Sequence, residues 1–248
     1  MTHSAKSSGR QRVDELLVKR GLAHSREKAR ALVLAGAVQV DGRRVDKAGH
    51  SVPEAASVVV TASLPYVSRG GIKLAHALDY FQIDVNGRVC LDIGASTGGF
   101  TDCLLQAGAL RVYAVDTGAG QLDWKLRNEP RVILKERLNA RYLEPSQIGE
   151  PVDLAVCDVS FISATLVLPR IAPLLRDTGE MVILVKPQFE VGRGQVGKGG
   201  VVRKPELHRA ACARVEEAVY AMGFQTALTE SPIMGTEGNR EFLLHARH

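Results

Sequence analysis

From about residue 89 onward, short apolar runs alternate with longer stretches in which apolar positions recur every three to four residues. The runs are VCLDIG, RVYAVD, RVILK, VDLAVCD, EMVILVK, FQTALTES and EFLLHAR, and the periodic stretches include residues 98 to 107, 163 to 175 and 205 to 222. Strand-like runs spaced by helical periodicity predict an α/β domain, a mostly parallel sheet covered on both faces. Only SPIMGTEGN separates the last two runs. That is too short for a crossover helix, so an antiparallel hairpin is expected to finish the sheet.

The first quarter of the chain has another pattern. Residues 1 to 9, MTHSAKSSG, read as a disordered tail. Val13, Leu16 and Leu17 share one face of a short helix that Gly21 ends. A second helix starts at Ser25, a good N-cap, and turns Ala29, Leu32 and Val33 inward while Arg26, Lys28 and Arg30 stay outside. VQVDGRRV then reads as two strands around an Asp41-Gly42 turn. A small α/β head over residues 10 to 62, a linker over 63 to 68 and a body over 69 to 248 are expected.

Charge sharpens this division. The net charge of +5 lies wholly in the head: residues 1 to 66 carry 11 Lys and Arg against 6 Asp and Glu, and the remainder 21 against 21. A basic head on a neutral body suits a polyanion such as RNA. A solvated surface with a few extra lysines is the alternative. No run of 18 apolar residues occurs and the first 30 residues are polar, which argues against a membrane span or secretion and for residence in the cytoplasm. Cys90, Cys103, Cys157 and Cys212 show no C-x-x-C spacing, so neither a metal site nor disulfides are expected.

The chemistry concentrates first in LDIGASTGGFTD, residues 91 to 102. A strand that breaks into glycines before a helix is the first βα corner of a nucleotide-binding unit. Its spacing is G-x-x-x-G-G, with Ser96 where a dinucleotide fingerprint needs glycine, and no Lys-Ser or Lys-Thr pair makes it a phosphate loop. That argues for a ligand that lies across the loop without a diphosphate, S-adenosylmethionine being the commonest adenosine cofactor of that kind; an ordinary glycine-rich strand-to-helix turn is the alternative on these twelve residues. Asp92, Gly94, Ala95, Ser96, Gly98, Gly99 and Phe100 are the candidates here. Asp116 ends the next strand, 22 residues past Gly94, where an acidic group accepts hydrogen bonds from ribose or simply caps a turn. Asn139, after the third strand, is a candidate for the adenine. Seven strands with the last one reversed make the arrangement of the class I, Rossmann-like methyltransferases.

Two resemblances extend the reading. SREKARALVLAGAVQVDGRRV resembles the S-four RNA-binding module over about residues 12 to 60, which implies phosphate contacts from Arg12, Arg26, Lys28, Arg30, Arg43 and Arg44. VSRGGIKL, CDVSFIS, LVKPQFEVGRGQVGKGGVVR and GNREFLLH, with the glycine loop, resemble the TlyA, or haemolysin A-like, ribosomal RNA methyltransferases over nearly the whole chain. That resemblance implies transfer of methyl from S-adenosylmethionine to ribose 2′-hydroxyls of ribosomal RNA, on cytidine. It also implies a catalytic tetrad of Lys73, Asp158, Lys186 and Glu241. The residue types are chemically sensible: a ribose hydroxyl is a poor nucleophile and needs a base beside it, which a neutral Lys186 can be. Asp158 would orient it and Glu241 would hold Lys73. The bland alternatives are a surface lysine, strand-end carboxylates and a snorkelling side chain. SLPYVSRGG departs from the family's commonest linker, which leaves the coupling of head and body open.

Base methylation is disfavoured because Asp158-Val159-Ser160-Phe161 lacks the Asn or Asp followed by two prolines and an aromatic. Cys157 should face the core. Phe161 is free to line the cofactor or nucleoside pocket, or to be core. The glycine-rich stretch QFEVGRGQVGKGGVVRKP reads as a mobile basic flap that offers Arg193 and Lys198 to RNA. Two other readings stand beside the enzyme: a non-catalytic RNA-binding or ribosome-assembly factor, and a membrane-damaging haemolysin, for which the chain offers no amphipathic segment of membrane type.

Overall fold

The computed structural model describes residues 9–34, 36–45, 47–60 and 65–248, and divides into two compact units at Pro65/Tyr66. Of the expected tail over residues 1 to 9, residues 1 to 8 lie outside the described residues, as do the last two head positions, 61 and 62, the linker positions 63 and 64, and the side chains of Arg44 and Arg193.

The first unit contains β1 (Arg10–Arg12), α1 (Val13–Lys19), α2 (Arg26–Leu34), β2 (Val38–Val40), β3 (Arg43–Arg44), β4 (Ser51–Pro53) and β5 (Val58–Val60). Val13, Leu16, Leu17, Ala29, Leu32 and Val33 bury the facing sides of the two helices, as their spacing predicts. Ser25 Oγ accepts the Lys28 amide at 3.1 Å, capping α2. β3 and β5 flank β2, and β1 pairs with β4.

The second unit runs through α3 (Gly70–Tyr80), β6 (Val89–Ile93), α4 (Gly99–Gln106), β7 (Arg111–Val115), α5 (Trp124–Arg127), β8 (Val132–Lys135), α6 (Pro145–Ile148) and β9 (Val152–Cys157). It continues with α7 (Leu168–Ile171), β10 (Leu175–Val185), α8 (Pro187–Glu190), α9 (Pro205–Tyr220), β11 (Gln225–Glu230) and β12 (Phe242–Arg247). Tyr66 and Val67, expected in the linker, pack against the core of this unit, and the Val67 amide donates to Asp102 at 2.8 Å.

The seven strands lie in the order β11-β12-β10-β9-β6-β7-β8, and β12 runs antiparallel to both its neighbours. Strand alternation splits the core in two. Leu91, Ile93, Met181 and Ile183 face α7 and α9, while Cys90, Val112, Val156 and Val182 face α3 and α4. Buried on both faces, β6 is apolar at every position except Asp92.

Residues 163 to 175, expected as one helix, are instead three short turns, Ala164–Leu166, α7 and Ala172–Leu174. Pro169 and Pro173 each remove an amide donor and crowd the preceding turn, so no continuous helix can form. Among the described residues no helix is long and apolar enough to cross a membrane, and no group of three or more His, Cys, Asp or Glu could hold a metal ion. The four cysteines are free and buried.

One polar staple crosses the sheet. Glu180 accepts hydrogen bonds from Arg88 at 2.6 Å and from His245 at 2.7 Å. The His245 bond outweighs burial and, with Arg88, holds the Glu180 carboxyl at about 2 against an ordinary 4.5. A depressed folded value means that the pairing stabilises fully above pH 4.5 and is lost as pH falls toward 2. Glu180→Gln should therefore flatten the acid side of the stability profile. The fall in urea midpoint between about pH 7 and pH 3 should be smaller than in the parent protein; an equal fall would show that the staple contributes nothing.

Candidate active site

The carboxyl ends of the parallel strands assemble the site, where sheets of this class bind ligands. β6 delivers Gly94, β7 Asp116, β9 Asp158 and β10 Lys186. Because β12 is reversed, its amino end lies at the same edge and brings Glu241 beside Lys186, one step beyond the Val185–Phe242 pair.

Gly94 has φ +85°, and a Cβ there would stand 2.3 Å from the Asp158 carbonyl oxygen and 2.9 Å from its carbon. The Asp158 amide in turn donates to Ile93 O at 2.9 Å. The first glycine of the loop is thus required by backbone packed on backbone. Gly98, at φ +96°, caps α4, and its missing Cβ makes room for Leu126 and Leu122, not for a ligand. Gly98, Gly99, Ala95 and Phe100 hold the loop from below without lining the cleft.

A cleft of about 340 Å³ opens over this edge, lined by Gly94, Ser96, Asp116, Asn139, Asp158 and Phe161 among others. Asp116 accepts the amides of Ser96 at 2.8 Å and Gly118 at 2.7 Å. It therefore caps the loop, as the simpler reading held, and a carboxylate so engaged keeps lone pairs for ribose hydroxyls. Asn139 caps the following turn through the Arg141 amide at 3.0 Å. Asp92 is fully buried under the loop and accepts the Thr101 hydroxyl at 2.6 Å. Burial pushes its carboxyl up to about 7, against the pull of Thr101. The cleft's size, its apolar walls of Leu138, Ile162 and Val167, and its few convergent polar groups fit an adenosine cofactor.

A second cleft, of about 300 Å³, is lined by Phe161, Phe189, Lys186, Glu241, Val196 and Gly200 among others. It shares Ser160 and Phe161 with the first. Phe161 is 92% exposed, so it is not core, and its ring lies 5.4 Å from that of Phe189. At the junction the four tetrad candidates form two ion pairs. Lys186 Nζ meets Asp158 Oδ1 at 2.5 Å, and Lys73, on the first turn of α3, pairs with Glu241 in a buried contact. Cys157 is 2% exposed in the core, as expected, and burial pushes its thiol up to about 12, far from a nucleophile's range.

The stretch after β10, expected as a mobile basic flap, starts with the helical turn α8 and is tied at both ends. Glu190, 3% exposed, accepts from Ser163 Oγ at 2.5 Å and the Ala164 amide at 2.8 Å. Asn239, 1% exposed, accepts the Val202 amide and donates to Gly200 O, each at 2.9 Å, while His208 meets Val202 O at 2.8 Å. Gly200, which Asn239 holds, lines the second cleft, and the partners of these buried groups are mainly backbone atoms. Glu190 in PQFEV and Asn239 in GNREF carry no local signal of this beyond their polarity in apolar surroundings.

In the head, Arg12 and Arg26 are committed to carboxylates. Arg12 meets Asp14 at 2.9 Å, and Arg26 meets Asp14 at 3.3 Å and Glu15 at 3.0 Å. The Arg12 hydrogen bond lowers the pKa of the buried Asp14 despite its desolvation. Arg30, Arg43 and, on the second unit, Lys198 are exposed, and Lys28 is half-buried. None of these four makes an ion pair among the described residues.

Comparison with known proteins agrees with this geometry. Residues 66–248 match the FtsJ-like methyltransferase family and residues 11–58 match the S4 domain. The 16S/23S rRNA (cytidine-2'-O)-methyltransferase TlyA of Mycobacterium tuberculosis (strain ATCC 25618 / H37Rv) is 48% identical over 96% of this chain and 90% of its own length. Hemolysin A of Brachyspira hyodysenteriae is 42% identical over 94% and 98% respectively. A solved structure of a hemolysin-named protein from Streptococcus thermophilus is 45% identical, covers 97% of this chain and 89% of that one, and superposes with a TM-score of 0.76. The chain belongs to the FtsJ-like methyltransferase family, in the TlyA group that places an S4 domain before the methyltransferase body.

Proposed function

We propose that this methyltransferase uses S-adenosylmethionine to methylate the ribose 2′-hydroxyl of cytidine in ribosomal RNA, in the cytoplasm. The observation that carries the reading is the junction of two clefts at Ser160 and Phe161, with the Lys186–Asp158 pair beside it. One cleft suits the cofactor and the other a nucleoside. The relatives named as ribosomal RNA cytidine-2'-O-methyltransferases support the substrate.

Gly94, Ser96, Asp116 and Asn139 would hold the cofactor, which supplies an electrophilic methyl carbon on a sulfonium. Lys186, in its neutral form, takes the proton of the ribose hydroxyl as that oxygen attacks. Asp158 fixes the amine in place. Glu241, which lines the second cleft, anchors Lys73 in a buried ion pair at the edge of the site. In the head, Arg30, Arg43 and Lys28 are free for phosphate, whereas Arg12 and Arg26 would first have to leave Asp14 and Glu15. Arg44, Arg193 and Lys198 complete the proposed set. The loop residues Asp92, Ala95, Gly98, Gly99 and Phe100 would serve the cofactor by shaping the loop, and Phe161 would serve both clefts.

The test is methyl transfer from labelled S-adenosylmethionine to ribosomal subunits from cells lacking the enzyme, followed by nuclease digestion and mass analysis. Label on cytidine ribose is expected; label on a base, or none, would refute the assignment. RNA affinity should fall as salt rises, and the Lys28→Ala, Arg30→Ala double variant should reduce the slope of log affinity against log salt while cofactor binding is unchanged. An unaltered slope would remove both residues from the RNA contact.

A further inference from the structure

Lys186 has a second partner that the tetrad does not include. Its Nζ lies 2.8 Å from Ser160 Oγ as well as 2.5 Å from Asp158 Oδ1. Both partners come from the single turn that follows β9, and the next residue, Phe161, holds the left-handed φ of +66° that closes this turn. Ser160 lines both clefts, and Lys186 lines the second.

The valences of the amine give the arrangement a meaning. A neutral lysine nitrogen has four tetrahedral corners: its own Cε, two N–H bonds and one lone pair. Ser160 Oγ accepts one N–H in a hydrogen bond of 2.8 Å, whereas the Asp158 carboxylate, 2.5 Å away but without hydrogen-bond alignment, holds the amine by charge. The Ser160 bond then restricts where the lone pair can point, and the amine belongs to a group that lines the acceptor cleft. With the Asp158 ion pair alone, the amine would be free to turn and present an N–H to the substrate as often as the lone pair. A second carboxylate in place of Ser160 would also fix the rotation, but it would add a charge that favours the ammonium form, which cannot accept a proton. A hydroxyl fixes it without that charge.

We propose that Ser160 is a positioning residue that sets the rotation of the Lys186 amine, so that its lone pair faces the ribose hydroxyl. The inference rests on the reading of Lys186 as the base. Ser160 acts on the proton transfer through Lys186, and its own hydroxyl exchanges no proton with the substrate.

The experiment is single-turnover methyl transfer to ribosomal subunits by the full chain, with Ser160→Ala, Ser160→Thr and Lys186→Ala compared with the parent enzyme. Ser160→Ala should lower the transfer rate about 10-fold, with cofactor affinity and the half-saturating RNA concentration unchanged within about 2-fold. Ser160→Thr, which keeps the hydroxyl, should recover to within about 3-fold of the parent rate. A parental rate in Ser160→Ala, or a Ser160→Thr enzyme as slow as Ser160→Ala, would overturn the proposal. So would a loss confined to RNA affinity, which would make Ser160 a substrate contact. If Lys186→Ala is inactive while Ser160→Ala is unimpaired, only the role of Ser160 falls. If Lys186→Ala retains activity, the reading of Lys186 as base falls with it.

Discussion

An enzyme with arginine at position 186 is expected to bind RNA and cofactor and yet to transfer methyl at least about 1,000-fold more slowly than the parent, close to the loss in Lys186→Ala. Arginine keeps the positive charge, can reach Asp158 and can anchor a phosphate. It cannot become neutral near pH 7, so it has no lone pair for the ribose proton. A lysine acting only as an electrostatic clamp would tolerate the exchange in part. The contrast between the two substitutions therefore separates a base from a clamp, and the measurement is single-turnover label transfer at saturating RNA and cofactor. An active Lys186→Arg enzyme would exclude proton abstraction by Lys186.

The sequence made the scaffold legible because the scaffold rests on local periodicity. Apolar runs of strand length gave all seven strands of the body, and the short turn-rich stretch between the last two gave their antiparallel pairing. Where local pattern and backbone chemistry conflict, the pattern misleads. Residues 163 to 175 have helical spacing, but Pro169 and Pro173 break them into three turns. The site was legible in part for a related reason: Gly94, Asp116, Asp158 and Lys186 stand at strand ends, and an α/β sheet gathers its strand ends along one edge.

What the sequence hid are relations between distant segments. Ser160 acts across 26 residues to Lys186, Glu190 across 26 to Ala164, and Asn239 across 37 to Val202. No spacing rule joins such pairs, because tertiary packing brings them together. The same limit applies to the basic head. Charge counting treats Arg12 and Arg26 like Arg30, but Asp14, fully buried between the first two, already claims them. Gly98 shows the same limit: its spacing suggests close approach to a ligand, and the space left by its missing Cβ is filled by two leucines from a later segment.

Gly94→Ala should be the most damaging single-methyl change in the cofactor loop, because it strikes both halves of the site. The added Cβ would meet the Asp158 carbonyl at 2.3 Å, and the residue would hold φ +85°, a conformation that L side chains rarely adopt. The obstructing atoms are backbone, so no side-chain rotation relieves the clash. Either the glycine loop lifts, which spoils the cofactor cleft, or the end of β9 shifts, which breaks the 2.5 Å contact of Asp158 with Lys186. A stability loss of about 1–3 kcal/mol is expected from the strain. Methyl transfer should fall by more than about 100-fold even where the protein is fully folded, since small displacements of reacting groups are that costly. Gly98→Ala is the informative comparison. Its new methyl would press on Leu126 and Leu122, whose side chains can move, so it should lose stability with a smaller effect on turnover. Denaturant titration and single-turnover transfer, measured on both variants at a temperature where each is folded, distinguish the two. Equal turnover in the two variants, or parental turnover in Gly94→Ala, would show that the contact between Gly94 and Asp158 does not hold the catalytic pair.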